Sequence, residues 1–236
     1  LRDPIAHPDH FKESPLGRIP REWEVKPFNE MVASATDGPF GSNLKTQHYV
    51  DVPGVRVVRL QNIGSGMFDD TDKAFVSADH AATLQRHQTV AGDLLVASMG
   101  DENHPLARAC LYPDGFQPGI VKADCFRLRM KPSMAMNGFI MLLLNCPSTR
   151  GQVNLLGQGV TRDRVNLTTL LTLPSLRPPT EEQTAIAERV AVFDKQVQIE
   201  QQVRTTFIHV KDGMMIDLLS GKVHVPENAS EIQEVG

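Results

Sequence analysis

Two adjacent prolines, followed by 46 residues with no third, constrain this chain more than any other feature. Pro178 and Pro179 prevent a helix from arriving from upstream, and the next proline is Pro226. Thr180-Glu181-Glu182-Gln183 has the form of a capping box, a hydroxyl at the N-cap and a Gln three residues on. Ile186, Val190, Phe193 and Val197 then step by four, three and four, which is one face of a helix. Beyond Val197 the stripe slips to a neighbouring phase through Ile199, Val203, Phe207, Val210, Met214 and Leu218, while Glu200 and Arg204 take the old one. The pattern predicts one helix over Thr180–Leu219. At a rise of 1.5 Å per residue it is a rod of about 60 Å, longer than most globular helices. Packing on its own domain is the plain alternative, but a rod of this length overhangs a compact domain of the size that precedes it. A partner along its length is therefore expected.

The 236 residues, 41% hydrophobic and 22% charged, describe a globular chain of one or two domains. The strongest apolar run, 139–144, falls far short of the about 20 residues of a membrane span. Residues 1–10 are polar and hold two prolines, unlike a secretory signal; the chain does not begin with Met, which leaves a native start upstream open. Cys110, Cys125 and Cys146 are odd in number and lack C-x-x-C spacing, which suits a reducing cytoplasm without disulfides or structural zinc. The net charge of −4 argues against indiscriminate polyanion binding. From residue 180 onward acidic side chains outnumber basic ones two to one, whereas residues 1–179 are balanced, so any nucleic-acid surface must be a local basic patch.

In chain order, 1–15 reads as a flexible lead-in, 16–179 as a globular domain, 180–220 as the long helix and 221–236 as a tail, polar, acidic and disordered from Pro226 onward. Trp23, the only Trp, reads as a core anchor. Residues 28–34 read as a short strand or helical turn, and Asp37-Gly38-Pro39-Phe40-Gly41-Ser42-Asn43-Leu44-Lys45 as a loop. Strands are expected at 55–60, 94–98, 107–112, 125–130 and 167–176, with Tyr112-Pro113-Asp114-Gly115 turning between the third and fourth. Helices are expected at 78–87 and 133–145, the latter ended by Pro147, with a further helical pattern over 153–156. Gly157-Gln158-Gly159 breaks that pattern, and 161–164 is a charged loop.

Catalytic signatures are scarce. Asp101, Glu102 and His104 invite a metal or acid–base reading, but they are neighbours on one Gly-flanked loop with no third ligand at a typical spacing, so a solvated loop accounts for them better. Gly64-Ser65-Gly66 lacks the third glycine and following helix of a dinucleotide site. No P-loop, nucleophile elbow, HExxH or methyltransferase-type motif combination is present. What remains is a loop-rich α/β domain carrying the residue types that read base edges: Arg for guanine, Asn or Gln for adenine, Ser or Thr for either. Ser42, Asn43, Lys45, Arg59, Gln61, Asn62, Asn103, Arg108, Arg162 and Arg164, at strand ends and in Gly-bounded loops, form the pool of expected DNA contacts.

The chain resembles one half of the specificity (S) subunit of type I restriction–modification systems. The resemblance rests on Leu16-Gly17-Arg18-Ile19-Pro20-Arg21-Glu22-Trp23-Glu24-Val25, Asp37-Gly38-Pro39-Phe40-Gly41-Ser42 and Gly92-Asp93-Leu94-Leu95-Val96. It continues through Gly157-Gln158-Gly159-Val160-Thr161, Leu173-Pro174, Pro178-Pro179, Glu182-Gln183 and Leu218-Leu219-Ser220-Gly221-Lys222-Val223. Together these pieces span nearly all of residues 11–225 in the expected order. The resemblance implies a mixed α/β target-recognition domain followed by one long conserved-region helix that pairs antiparallel with another helix. It implies a non-catalytic DNA-specificity component with double-stranded DNA and methyltransferase (M) subunits as partners, a restriction (R) subunit being left open. S-adenosylmethionine would be bound by the M subunit, not by this chain. Family members carry two such domains and two helices, so one domain and one helix mean a fragment or a half-size subunit completed by dimerisation. For a homodimer the expected contact residues are Ile186, Val190, Phe193, Val197, Val203, Phe207, Val210 and Met214. The competing readings are a coiled-coil assembly protein with a protein-binding head, and a metal-dependent enzyme built on the 101–104 loop.

Overall fold

A computed structural model of the chain describes residues 5–51, 54–157 and 163–224. The chain divides into two compact units that meet between Ala187 and Glu188, within the helix Thr180–Leu219.

The first unit is built on a four-stranded antiparallel sheet in the order Ala109–Leu111, Leu94–Ala97, Cys125–Met130, Val32–Asp37. Leu94-Leu95-Val96-Ala97 reads as an unbroken apolar run because both faces of this strand are covered. Leu94 and Val96 face the main core with Phe126, Leu128, Phe139 and Ile140, while Leu95 and Ala97 face a second cluster with Val58, Tyr112 and Val121. A turn of 90–93 introduces the strand. Gly92 adopts φ +79, Asp93 Oδ2 accepts from Val90 N at 2.9 Å, and the buried Asp93 carboxylate is held bidentately by Arg129 at 2.6 and 2.8 Å. That local chemistry explains the Gly92-Asp93 pair ahead of the apolar run.

A five-stranded sheet follows the order Tyr49–Val50, Phe75–Val76, Val55–Val58, Gly119–Val121, Gln88–Thr89; Val55–Val58 and Gly119–Val121 pair parallel. Helices Asn137–Asn145 and Pro147–Leu156 complete the unit, and Asn145 bonds both N–H and C=O of Ala109 on the edge strand of the first sheet.

Several elements depart from expectation. Part of the expected lead-in is ordered: Phe11–Ser14 pairs with Gly17–Pro20 as a hairpin. The stretch 112–115 does not lead directly into Cys125–Met130, because the short strand Gly119–Val121 intervenes; three residues are too few for periodicity to show. The expected strand 167–176 is the helical turn Leu167–Leu170, capped by Asn166 Oδ1 accepting from Thr169 N at 2.8 Å, followed by the strand Pro174–Arg177 paired with Glu24–Pro27. The helix expected over 133–145 begins only at Asn137, and the cause is tertiary. Gln183 is fully buried; its Oε1 accepts from Met136 N at 3.0 Å and its Nε2 donates to Met134 O and Pro178 O at 2.9 Å each. The Gln183 amide therefore binds the domain and does not close the expected capping box. Trp23 is half-buried, its Nε1 donating to Glu182 Oε2 at 2.9 Å.

The long helix spans Thr180–Leu219, with the bounds read from its proline-free pattern. Its first turns belong to the first unit, where Ile186 packs against the main core. Ile186 is thereby partly used by its own domain and is not a free member of the stripe. In the second unit Phe193, Val197, Val203, Phe207, Val210 and Met214 are exposed, Phe193 and Phe207 at 67% and 68%, and Val190 is half-buried. Among the described residues no helix is long and apolar enough to cross a membrane.

Candidate nucleic-acid interface

The connections 38–45, 59–66, 99–108, 122–124 and 163–165 of the first unit lie side by side, laced by backbone hydrogen bonds. Gly38 N donates to Cys125 O, Ser98 N to Asp124 O, Val165 N to Ser98 O, and Gly100 N to Asp163 O. Met99 and Arg164 form an isolated antiparallel bridge. A Cβ at Gly38 would overlap the Lys122 carbonyl, so the first loop sits directly on the 122–123 backbone and only glycine fits. The glycine-permitted close approach is thus to the chain's own backbone.

These loops bring most of the expected DNA contacts into one region, in three states. Ser42, Asn43, Lys45, Gln61, Asn103 and Arg164 are exposed. Arg59 is half-buried, paired with Asp72 and lying over the Tyr49 ring with its guanidinium carbon 5.9 Å from the centroid. Asn62 and Arg108 are consumed by the fold. Asn62 is completely buried; its Nδ2 donates to Asp69 O and Asp72 O at 2.9 and 2.8 Å, and its Oδ1 accepts from Arg59 N at 2.8 Å. Arg108, buried, donates to Ile63 O, Met99 O and Leu60 O at 2.6, 2.9 and 2.8 Å, tying the 59–66 and 99–108 connections together. By type they are residues able to bond base edges; burial makes them part of the frame of these loops. Arg162 lies outside the described residues.

Arg108 is the floor of a cleft of about 200 Å³ whose other walls are Leu60, Gln61, Met99, Gly100, Asp101 and His104. Within it, Asp101 Oδ1 accepts from His104 Nδ1 at 2.9 Å and from the N–H groups of Asn103 and His104. The His104 bond, then the Asn103 N–H, hold the Asp101 carboxyl below its ordinary value. Asp101 and His104 thus fold their own loop, and among the described residues no three metal-ligand side chains converge there or elsewhere.

Asp37, at the root of the first loop, behaves oppositely. Burial raises its carboxyl to about 6, with the charge of Asp124 adding to the rise and the Gly38 N–H and Arg164 opposing it. His87 donates from Nδ1 to the Asp37 carbonyl at 2.6 Å, and burial lowers the imidazole below its usual value. Two members of the region escaped the sequence reading. Asp124, at φ 71, pairs with Arg164; it sits in a short turn with no motif of its own. Phe40, half exposed at 51%, lies under Arg164, whose guanidinium carbon is 6.0 Å from the ring centroid. Its sequence signal is its place in the Asp37-Gly38-Pro39-Phe40-Gly41-Ser42 loop.

The fold and its loop face define a class: a mixed α/β head of loop-mounted polar side chains, joined to a long helix with an apolar stripe. In sequence the chain is similar to type I restriction enzyme specificity subunits, and in fold to solved structures from such systems. It is 25% identical over 219 residues to the MjaVIII specificity subunit of Methanocaldococcus jannaschii, covering 91% of this chain and 49% of that protein. To a second specificity subunit of that organism, assigned to enzyme MjaX, it is 23% identical over 230 residues, covering 96% and 53%. The chain therefore spans about half the length of the relatives it matches. No family model matches it. Among solved structures, a chain from a study of the assembly and conformational transition of a type I system has the same fold (TM-score 0.60, 16% identity, covering 86% of this chain and 46% of that one). The HsdS subunit from Thermoanaerobacter tengcongensis (TM-score 0.55, 16% identity, 83% and 43%) and the S subunit from M. genitalium (0.55, 15%, 84% and 46%) share it as well.

Proposed function

We propose that the chain is a DNA-recognition component of a type I restriction–modification complex, reading one half-site and docking methyltransferase subunits through the long helix. The observation that carries this reading is the match to specificity subunits over nearly the whole chain, at half their length. The exposed polar residues of the loop face have the chemistry to bond base edges and phosphates, whereas the 101–104 loop spends its acid–base groups on its own turn. The chain makes and breaks no bond itself; methyl transfer belongs to the partner subunit. Salt-dependent, sequence-selective binding to duplex DNA by the complex of this chain with its methyltransferase subunits tests the reading. Complex formation without DNA selectivity, or methyl transfer by this chain alone, would refute it.

The helix supports a second part of the proposal, pairing with another copy. Phe193, Val197, Val203, Phe207, Val210 and Met214 are exposed along a drifting stripe, and burying each such side chain stabilises by about 1.5–3 kcal/mol. A two-fold axis perpendicular to the helices lays them antiparallel, and two half-length chains then supply the two recognition domains of the family pattern, reading an inverted repeat. Glu200 and Arg204, near the middle, set the register. Light scattering at micromolar concentration should give about twice the 26.1 kDa chain mass, and Phe193→Glu with Phe207→Glu should halve it. A monomer for the unsubstituted chain refutes self-pairing.

A further inference from the structure

We propose that Phe40 is a DNA-contacting side chain that selects a thymine through its C5 methyl group. The inference rests on the DNA-reading role proposed above and adds a residue and a base to it. Single exposed apolar residues are ordinary on protein surfaces, but Phe40 is placed differently. Among the described residues of the first unit it is the one exposed ring of a Phe, Tyr or Trp. It stands at a tip of exposed residues, with Gly41, Ser42 and Asn43, and that tip is pinned on both sides by buried residues, Pro39 and Leu44. Gly38 seats the same loop on the 122–123 backbone, so the ring is presented by an anchored support.

The partner chemistry follows from what the ring can offer. Its neighbours on the tip are hydrogen-bonding side chains of the kind that read base edges, so a duplex met by Ser42, Asn43 and Lys45 also meets Phe40. DNA presents two apolar surfaces: base faces, reached by unstacking a step, and the thymine methyl in the major groove. Insertion between base pairs needs both faces of the ring free. Over one face lies the guanidinium of Arg164, its carbon 6.0 Å from the centroid and itself tethered by Asp124. The ring therefore presents its edge and remaining face, which suits a methyl group. The same stack places a cation beside the methyl, where a phosphate or guanine edge can take it.

The test uses the full chain assembled with the methyltransferase subunits that co-purify with it. A randomised duplex pool selects the target, and each selected thymine is then replaced singly by deoxyuridine, which removes only the methyl. The unsubstituted complex should lose about four-fold in affinity at one position, the worth of one buried methyl. Phe40→Ala should bind the thymine and uracil duplexes equally there, with Phe40→Leu in between and thermal melting unchanged for both. Retention of every methyl sensitivity by Phe40→Ala, or equal weakening of all duplexes, would overturn the proposal. Should the unsubstituted complex select no sequence, the DNA-reading role itself fails, an outcome distinct from a selective complex that is indifferent to Phe40.

Discussion

Replacing Gln183 by Leu should be among the most damaging single changes in the chain. The side chain has no exposed surface, and its amide satisfies Met136 N at 3.0 Å and the carbonyls of Met134 and Pro178 at 2.9 Å. Leu matches the volume but bonds none of them. Each buried backbone group left without a partner costs about 1–3 kcal/mol, so three give a loss of about 3 kcal/mol at the lower end. The added apolar burial of Leu offsets about 1 kcal/mol of that. A net loss of at least about 2 kcal/mol is a large share of the stability of an ordinary domain. Gln183→Glu is the sharper variant. Its carboxylate keeps an acceptor for Met136 N but turns its second oxygen toward two carbonyls, so it must protonate to fit. Its folded-state pKa therefore lies above the unfolded value, and its stability is retained below that unfolded value and lost as pH rises through the folded one. Urea unfolding at pH 5 and pH 8 distinguishes the two variants: Leu should be weak at both, Glu much weaker at pH 8. A Leu variant within 0.5 kcal/mol of the unsubstituted chain would show that the amide network contributes nothing, and the account of why the helix starts late at Asn137 would fall with it.

Asp37→Asn should stabilise the first unit at pH 8, because burial holds the Asp37 carboxyl at about 6 against an ordinary value near 3.8. The advantage, at most about 3 kcal/mol before solvent screening is allowed for, should shrink as pH falls below 6 and vanish near pH 4; parallel melts across that range check it. The two glycines Gly38 and Gly151 should respond to Ala in opposite directions. Gly38→Ala drives a methyl into the Lys122 carbonyl and should destabilise by about 2 kcal/mol or more, while Gly151, inside Pro147–Leu156 with open space around its Cβ, should gain about 0.5–1 kcal/mol. Equal effects at the two sites in denaturant titrations would mean that the loop moves off the 122–123 backbone at little cost.

What was legible in the sequence were features whose cause is local. The helix Thr180–Leu219 was readable to its ends because two prolines and a helical repeat act within a few residues of each position. The buried strand Leu94–Ala97 and the turn ahead of it were readable because Gly92 and Asp93 bond within the turn itself. The order of the motifs carried the resemblance to specificity subunits in the same way, as a property of the chain read end to end.

Tertiary structure decided whatever depended on residues distant in sequence. Gln183 looked like a cap and became a brace, because carbonyls 5 and 49 positions away were nearer partners than its own helix end. Asn62 and Arg108 looked like base readers and became frame, since burial obliges a polar side chain to spend its hydrogen bonds inside. Phe40 was legible only as part of a loop, and the fold left it at the surface under an arginine from 124 residues away. Residue type states which bonds a side chain is able to make. Only the fold, by choosing which groups lose their water, decides which bonds it must make and which remain free for a partner.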